Sequence, residues 1–276
     1  MNLKHVIFMG LIVAILLGLC TCIRDCSHAP AEETVPTVTE TTTTAATEPL
    51  PTEPPTAEEI VAAFAAENGL TLDDYPEALI RLLERNPETE SFVLNYPLEA
   101  TFVHQVDLWE YALADRIPLF MQWDRRWGYM DYGGEPAGLS GCGPVCLSMV
   151  VCHLTRDYSY SPDYMIQYAI DNGYCSPGNG SYWSLIDEGG KAHGLEVFSF
   201  PPDKERILAN LEVGNPIICL MGPGDFTTGG HFVVMTGLED GLIRVNDPNS
   251  YTNSRVLWDY DSIGDQITCL WVLRNP

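Results

Sequence analysis

Pro144 constrains this chain more than any other residue, because in GCGPVCLSMVVCHL it leads an apolar run as long as a buried helix. A helix tolerates proline only in its first turn, where the missing N–H is not needed and the fixed φ suits the geometry. The spacing therefore predicts a helix that begins at about Cys142 and continues to about residue 154. The Cys142 sulfur then faces backbone N–H groups without intrahelical partners, at the positive end of the helix dipole. That setting favours the thiolate, which is the nucleophilic form. Gly141 and Gly143 leave room for another backbone to approach. Cys146 lies one turn further in, among Val145, Leu147 and Met149, and is expected in the core. The local pattern fits a second reading equally well, with Cys142 as a small residue that merely starts a helix.

A nucleophilic thiol needs a base, and the chain offers His5, His28, His104, His153, His193 and His231. His153 and His193 fall at the ends of helical patterns, where an imidazole commonly caps the negative dipole end. His231 stands where the loop GGHFVVMTG turns into a strand, with two glycines before it. Residues 232–238 and 242–246 have nearly equal lengths, so a hairpin across 239–241 would return the chain antiparallel. His231 and Asp247 of VNDPNS then share one end of that hairpin. A hydrogen bond between them would fix the imidazole tautomer. Asp247-Pro248 is also ordinary turn chemistry. Oxyanion donors could come from the Cys142 N–H and from Gln122, an upstream amide in PLFMQWDRRWG; the alternative is a surface glutamine in a turn.

Helical patterns at 144–154, 162–172, 182–193 and 203–213 come first. Strand-like runs at 195–200, 216–221, 231–238, 242–246 and 266–273 come mostly later. This order argues for an α+β domain over 116–276 and against a dinucleotide fold; no Gly-rich phosphate loop is present. The formal net charge of −24 repels nucleic acid and anionic headgroups. Of nine cysteines, Cys20, Cys22 and Cys26 cluster near the start. The other six lack the density of a disulfide scaffold and the paired C-x-x-C of a zinc site, although Cys142, Cys146, Cys152 and His153 are close in sequence. No cofactor is expected.

Residues 6–19 are apolar and uncharged, behind Lys4. This reads as an export signal in 1–28, kept as an anchor, with the remainder outside. Residues 29–56 are Thr, Pro and Glu with almost nothing to bury, so they form an extended stalk. Two helical patterns, 57–67 and 75–85, open a small acidic segment over 57–115, either a packing lobe or a spacer.

Taken in order, PLFMQWDRRWG, SGCGPVCLSMV, GGHFVV and VNDPNS resemble the papain-like cysteine peptidases of the bacteriocin-processing, double-glycine leader family. The likeness is to its stand-alone, secreted or surface-anchored members, and it runs from about residue 117 to the end. The resemblance implies a papain-like α+β fold, a peptide or protein substrate, Cys142 as nucleophile, His231 as general base, Asp247 as orienter and Gln122 as oxyanion donor. Transglutaminase-like acyl transfer, a cell-wall amidase, and a surface binding module without turnover remain alternatives.

Overall fold

Among the described residues, regular structure starts at Thr56, whose side chain accepts the Glu59 N–H at 3.2 Å while the Glu59 carboxylate accepts the Thr56 N–H at 2.8 Å. This reciprocal cap launches α1 (Ala57–Glu67). The computed structural model describes residues 54–276, so the expected anchor and nearly all of the expected stalk lie outside the described residues. No helix among the described residues is long and apolar enough to cross a membrane. Next come α2 (Glu77–Arg85) and α3 (Glu90–Glu99). The helical patterns read from the sequence, 57–67 and 75–85, do not include α3, which carries Pro97 in its interior and so goes against local preference. Packing overrides that preference. Phe92 stacks on Tyr129 with ring centroids 4.6 Å apart, and the Tyr129 and Tyr75 hydroxyls donate to Phe92 O and Leu94 O.

Tyr129 lies well beyond these helices in the chain, yet it is buried in their core beside Leu79, Leu83 and Phe92. The helices are thus a packing lobe and not a spacer. Residues 100–141 are mostly irregular, with one-turn helices α4 (Trp109–Ala112) and α5 (Ala137–Ser140). His104, expected in the helical part, falls on this irregular stretch.

Helix α6 spans Cys142–Thr155, with every residue from Gly143 to Cys152 buried. It packs against α7 (Pro162–Asp171) and α8 (Ser184–Ala192), between which a small hairpin forms from β1 (Cys175–Ser176) and β2 (Gly180–Ser181). Then follow β3 (Glu196–Phe198), α9 (Lys204–Glu212), β4 (Ile217–Met221), β5 (His231–Glu239), β6 (Leu242–Asn246), α10 (Tyr251–Arg255), β7 (Leu257–Trp258), α11 (Tyr260–Ile263) and β8 (Ile267–Arg274). The six-stranded sheet has the order β3-β8-β4-β5-β6-β7, and every neighbouring pair is antiparallel.

Both faces of the sheet centre are covered. Ile218, Phe232, Val234 and Trp271 face the α6 layer, while Cys219, Val233, Met235 and Val272 pack with Ile207 and Leu211 of α9. Double burial explains why β4 and β5 read as continuous apolar runs instead of alternating ones. Helices first and an antiparallel sheet second is the α+β, papain-like order expected above. The β5–β6 hairpin turns tightly at Asp240-Gly241, both with positive φ, because Glu239 pairs directly with Leu242.

Candidate active site

The sheet and α6 meet at the start of β5, and the four expected residues gather there. Cys142 opens α6, while His231 opens β5 opposite Met221 of β4. The Asp247 carboxylate Oδ1 lies 2.7 Å from His231 Nε2, with the two side chains only 1 % and 8 % exposed. Use of Nε2 toward the carboxylate leaves Nδ1 as the ring nitrogen for the sulfur. The neighbouring Asn246 does not share this contact: its Nδ2 donates to Pro118 O at 2.9 Å, tying the sheet to the irregular segment that enters the domain.

Burial by itself would push the Cys142 thiol up. Hydrogen bonding and charge from His231, with smaller help from the N–H groups of Phe232 and Gly143, more than reverse it, so the pKa lies below that of an ordinary cysteine. For His231, desolvation opposes the charged form, but the Asp247 carboxylate and then Cys142 overcome it and raise the imidazole pKa. The two shifts, one down and one up, both favour the thiolate–imidazolium form of the pair. The sister thiols go the other way. Burial drives Cys146 well above its ordinary value and Cys152 up to about 12. Cys146 is buried as expected, and it also has a bond: its S–H donates to Phe232 O at 3.3 Å, pinning α6 to β5. Cys152 bonds to Tyr160 O instead, so the thiols of α6 do not converge. No group of three or more possible metal ligands occurs among the described residues. Cys269 is half-buried.

Gln122 is buried in the same cleft as Cys142 and His231. Its Nε2 donates one hydrogen to Gly138 O at 2.9 Å, and its backbone N–H donates to Pro248 O at 2.7 Å. The backbone of Gln122 is therefore held on the Asp247 loop and its side chain on Gly138, with a second Nε2 hydrogen still to give. Gly138 has to be glycine, because a Cβ there would sit 2.4 Å from the Phe92 ring.

His153 and His193 stand apart from the sulfur. His193, expected as a cap at a helix end, sits at the end of α8 and is buried there, with Nδ1 on Gly189 O at 2.7 Å and its ring edge-on to Tyr160 and Tyr168. The residues that hold Asp247 were not read from the sequence. Asn253 Nδ2 donates to Asp247 Oδ2 at 2.8 Å, Asn249 N–H to Oδ1 at 2.8 Å, and Ser254 Oγ accepts the Asp247 N–H at 2.9 Å. The only signal available was Ser250, whose cap of Asn253 N–H starts a short helix just past the aspartate.

The cleft has a volume of about 820 Å³. Trp183 stands on one wall, Asp225 and Thr227 come from the β4–β5 loop, and Leu82 and Arg85 come from α2. With Cys142, His231 and Gln122 lining one space and Asp247 bonded behind His231, the arrangement has the groups that acyl transfer through a thioester needs.

Residues 114–271 match the model of the Peptidase_C39 like family. No curated protein matches. Among solved structures, the chain is similar to the peptidase domain of Streptococcus ComA, a bifunctional ABC transporter involved in quorum sensing, with 21 % identity and a TM-score of 0.38 over 49 % of this chain and 91 % of that one. It is similar to a double glycine motif protease from an AMS/PCAT transporter in complex with the leader peptide, with 19 % identity, a TM-score of 0.39, and 58 % and 94 % covered. It is also similar to a putative C39-like peptidase from Bacillus anthracis, with 13 % identity, a TM-score of 0.39, and 59 % and 96 % covered.

Proposed function

The chain belongs to the Peptidase C39-like family, and from that premise we propose that it is a cysteine peptidase that cuts peptide bonds through a Cys142–His231–Asp247 thioester mechanism. The observation that carries the reading is the buried His231–Asp247 pair beside a thiol whose pKa is lowered. The Cys142 thiolate attacks the peptide carbonyl carbon, and the carbonyl π pair moves to oxygen. The oxyanion rests on the second Nε2 hydrogen of Gln122 and on the N–H of Cys142 at the start of α6. As the oxyanion collapses, the C–N bond breaks and His231 gives its proton to the leaving amine. Water then attacks the thioester; His231 takes the water proton and the Cys142 thiolate leaves. Asp247 keeps the ring oriented and stabilises its charge throughout.

In the same reading, the chain is exported and held at the cell surface by its apolar segment near the N-terminus, with the Thr/Pro/Glu tract as a spacer. Net charge of −24 supports work in solvent away from polyanions. The test is a peptide library incubated with the full chain and with Cys142→Ala. Cleavage by the wild type, lost in the variant, is the expected result. Binding of peptides without any cleaved product would return the site to a binding module, and amine incorporation in place of hydrolysis would make it an acyl transferase.

A further inference from the structure

Residues 86–88, between α2 and α3, reach the loop that carries Asp247. Glu88 accepts three hydrogen bonds there. Its Oε2 takes the Tyr251 N–H at 2.6 Å, and its Oε1 takes the Thr252 N–H at 2.9 Å and the Thr252 hydroxyl at 2.5 Å. Tyr251 and Thr252 open α10, so their N–H groups have no partner within that helix. Ser250 takes the third, that of Asn253. The start of α10 is therefore fixed from outside by an ionised acceptor, which makes stronger bonds than a neutral one. The next side chain along, Asn253, is the one bonded to Asp247 Oδ2, and Ser254 holds the Asp247 N–H. From the other side, Asn86 Nδ2 donates to Asn249 O at 2.6 Å, two residues past the aspartate.

We propose that Glu88 is a positioning residue for the active site, fixing α10 so that Asn253 keeps the Asp247 carboxylate aligned on His231. The proposal rests on the peptidase reading above. It assigns the lobe of α1–α3 a part in the chemistry although the lobe lies outside residues 114–271 that match the family. Glu88 is absent from the cleft wall, which Leu82, Arg85 and Asn86 do line. Its influence therefore passes through the loop alone. A small misplacement of a catalytic group by a remote change commonly costs up to about a hundredfold in rate.

The experiment needs no substrate. Cys142 in the full chain is labelled with iodoacetamide from acid to alkaline pH, peptide by peptide, in wild type, Glu88→Gln, Asn253→Ala, the double variant and Asp247→Asn. Glu84→Gln, an exposed carboxylate on the same lobe, is the control. Glutamine keeps the shape of Glu88 but turns an amide toward one of the N–H donors. The wild-type midpoint is expected below that of an ordinary thiol. Glu88→Gln and Asn253→Ala each raise it by about one unit, which slows labelling at acid pH about tenfold. The double variant shifts no further than the larger single one, because both break the same chain of bonds. Glu84→Gln leaves the midpoint in place. If Glu88→Gln coincides with wild type while Asp247→Asn shifts, the positioning proposal falls and the peptidase reading stands. Labelling of wild-type Cys142 as an ordinary thiol would overturn both. Asn253→Ala carries the same test if Glu88→Gln does not fold. Once a substrate is known, Glu88→Gln should lower kcat and leave KM unchanged.

Discussion

Cys142 and Cys146 are one helical turn apart, and their pKa values move in opposite directions. Both are pushed up by burial; only Cys142 has a cationic ring to reverse it. The sign of each shift sets a pH window for activity. A lowered thiol places the acid limb below the range of an ordinary cysteine, and a raised imidazole places the alkaline limb above that of an ordinary histidine. For the proposed peptidase, the expected kcat/KM profile is a bell with a broad neutral plateau, its limbs belonging to the pair. Asp247→Asn removes the charge that raises His231, so the alkaline limb should move to lower pH; an unmoved limb would count against the assignment. Cys142→Ala should abolish turnover, His231→Ala nearly so, and Gln122→Ala should cost about 10²–10³ in kcat if its remaining N–H meets the oxyanion. Single-turnover rates on a cleaved peptide check all three, and a fully active Gln122→Ala would remove that donor from the mechanism. Cys142, His231 and Asp247 could be found in the sequence because each sits at an element boundary marked by glycine or proline. Asn253 and Glu88 could not, since their importance lies only in what they bond to across the fold.

At the scale of elements, α6 and the central strands were legible because burial makes them apolar throughout. The small β1–β2 hairpin, β7, α10 and α11 were not, being two to five residues long and held by tertiary contacts instead of by periodicity. α3 was hidden by Pro97 and exists because Phe92 fills the space over Gly128 and Gly138. That packing makes two glycine substitutions informative. Gly138→Ala drives a methyl into the Phe92 ring, which should cost about 1–3 kcal/mol by overpacking and also disturb the carbonyl that seats Gln122. Stability and activity should fall together. Gly241→Ala strains a residue at φ +81° and should cost about 1–2 kcal/mol. The turn is at the far end of the β5–β6 hairpin from His231, so activity of the folded fraction should not change. Denaturant midpoints measured beside initial rates separate the two cases. Loss of activity in Gly241→Ala beyond its unfolded fraction would show that the hairpin does not insulate the site.

Over the whole molecule, the proposed topology puts everything after the apolar segment outside the cell. Protease added to intact cells should then release a fragment that begins within 29–56 and keeps the Cys142 labelling of the full chain. Protection until lysis would place the domain inside. The released fragment should resist further trimming, because α1–α3 share a core with Tyr129 and Trp123 and are not a loose appendage. The bonds from Asn86 and Glu88 to Asn249 and Thr252 join positions 163 and 164 residues apart. Synthesis runs from the lobe toward those partners, so the thiol is made first, the imidazole later, and the residues that steady the aspartate almost last. Contacts of such separation also close late in folding. On the proposed reading, a chain still being synthesised, without His231 beside the sulfur, would carry an ordinary, mostly protonated thiol. In the proposed peptidase, the order of synthesis would hold back the cutting chemistry until the segment carrying Asp247 and Asn253 arrives.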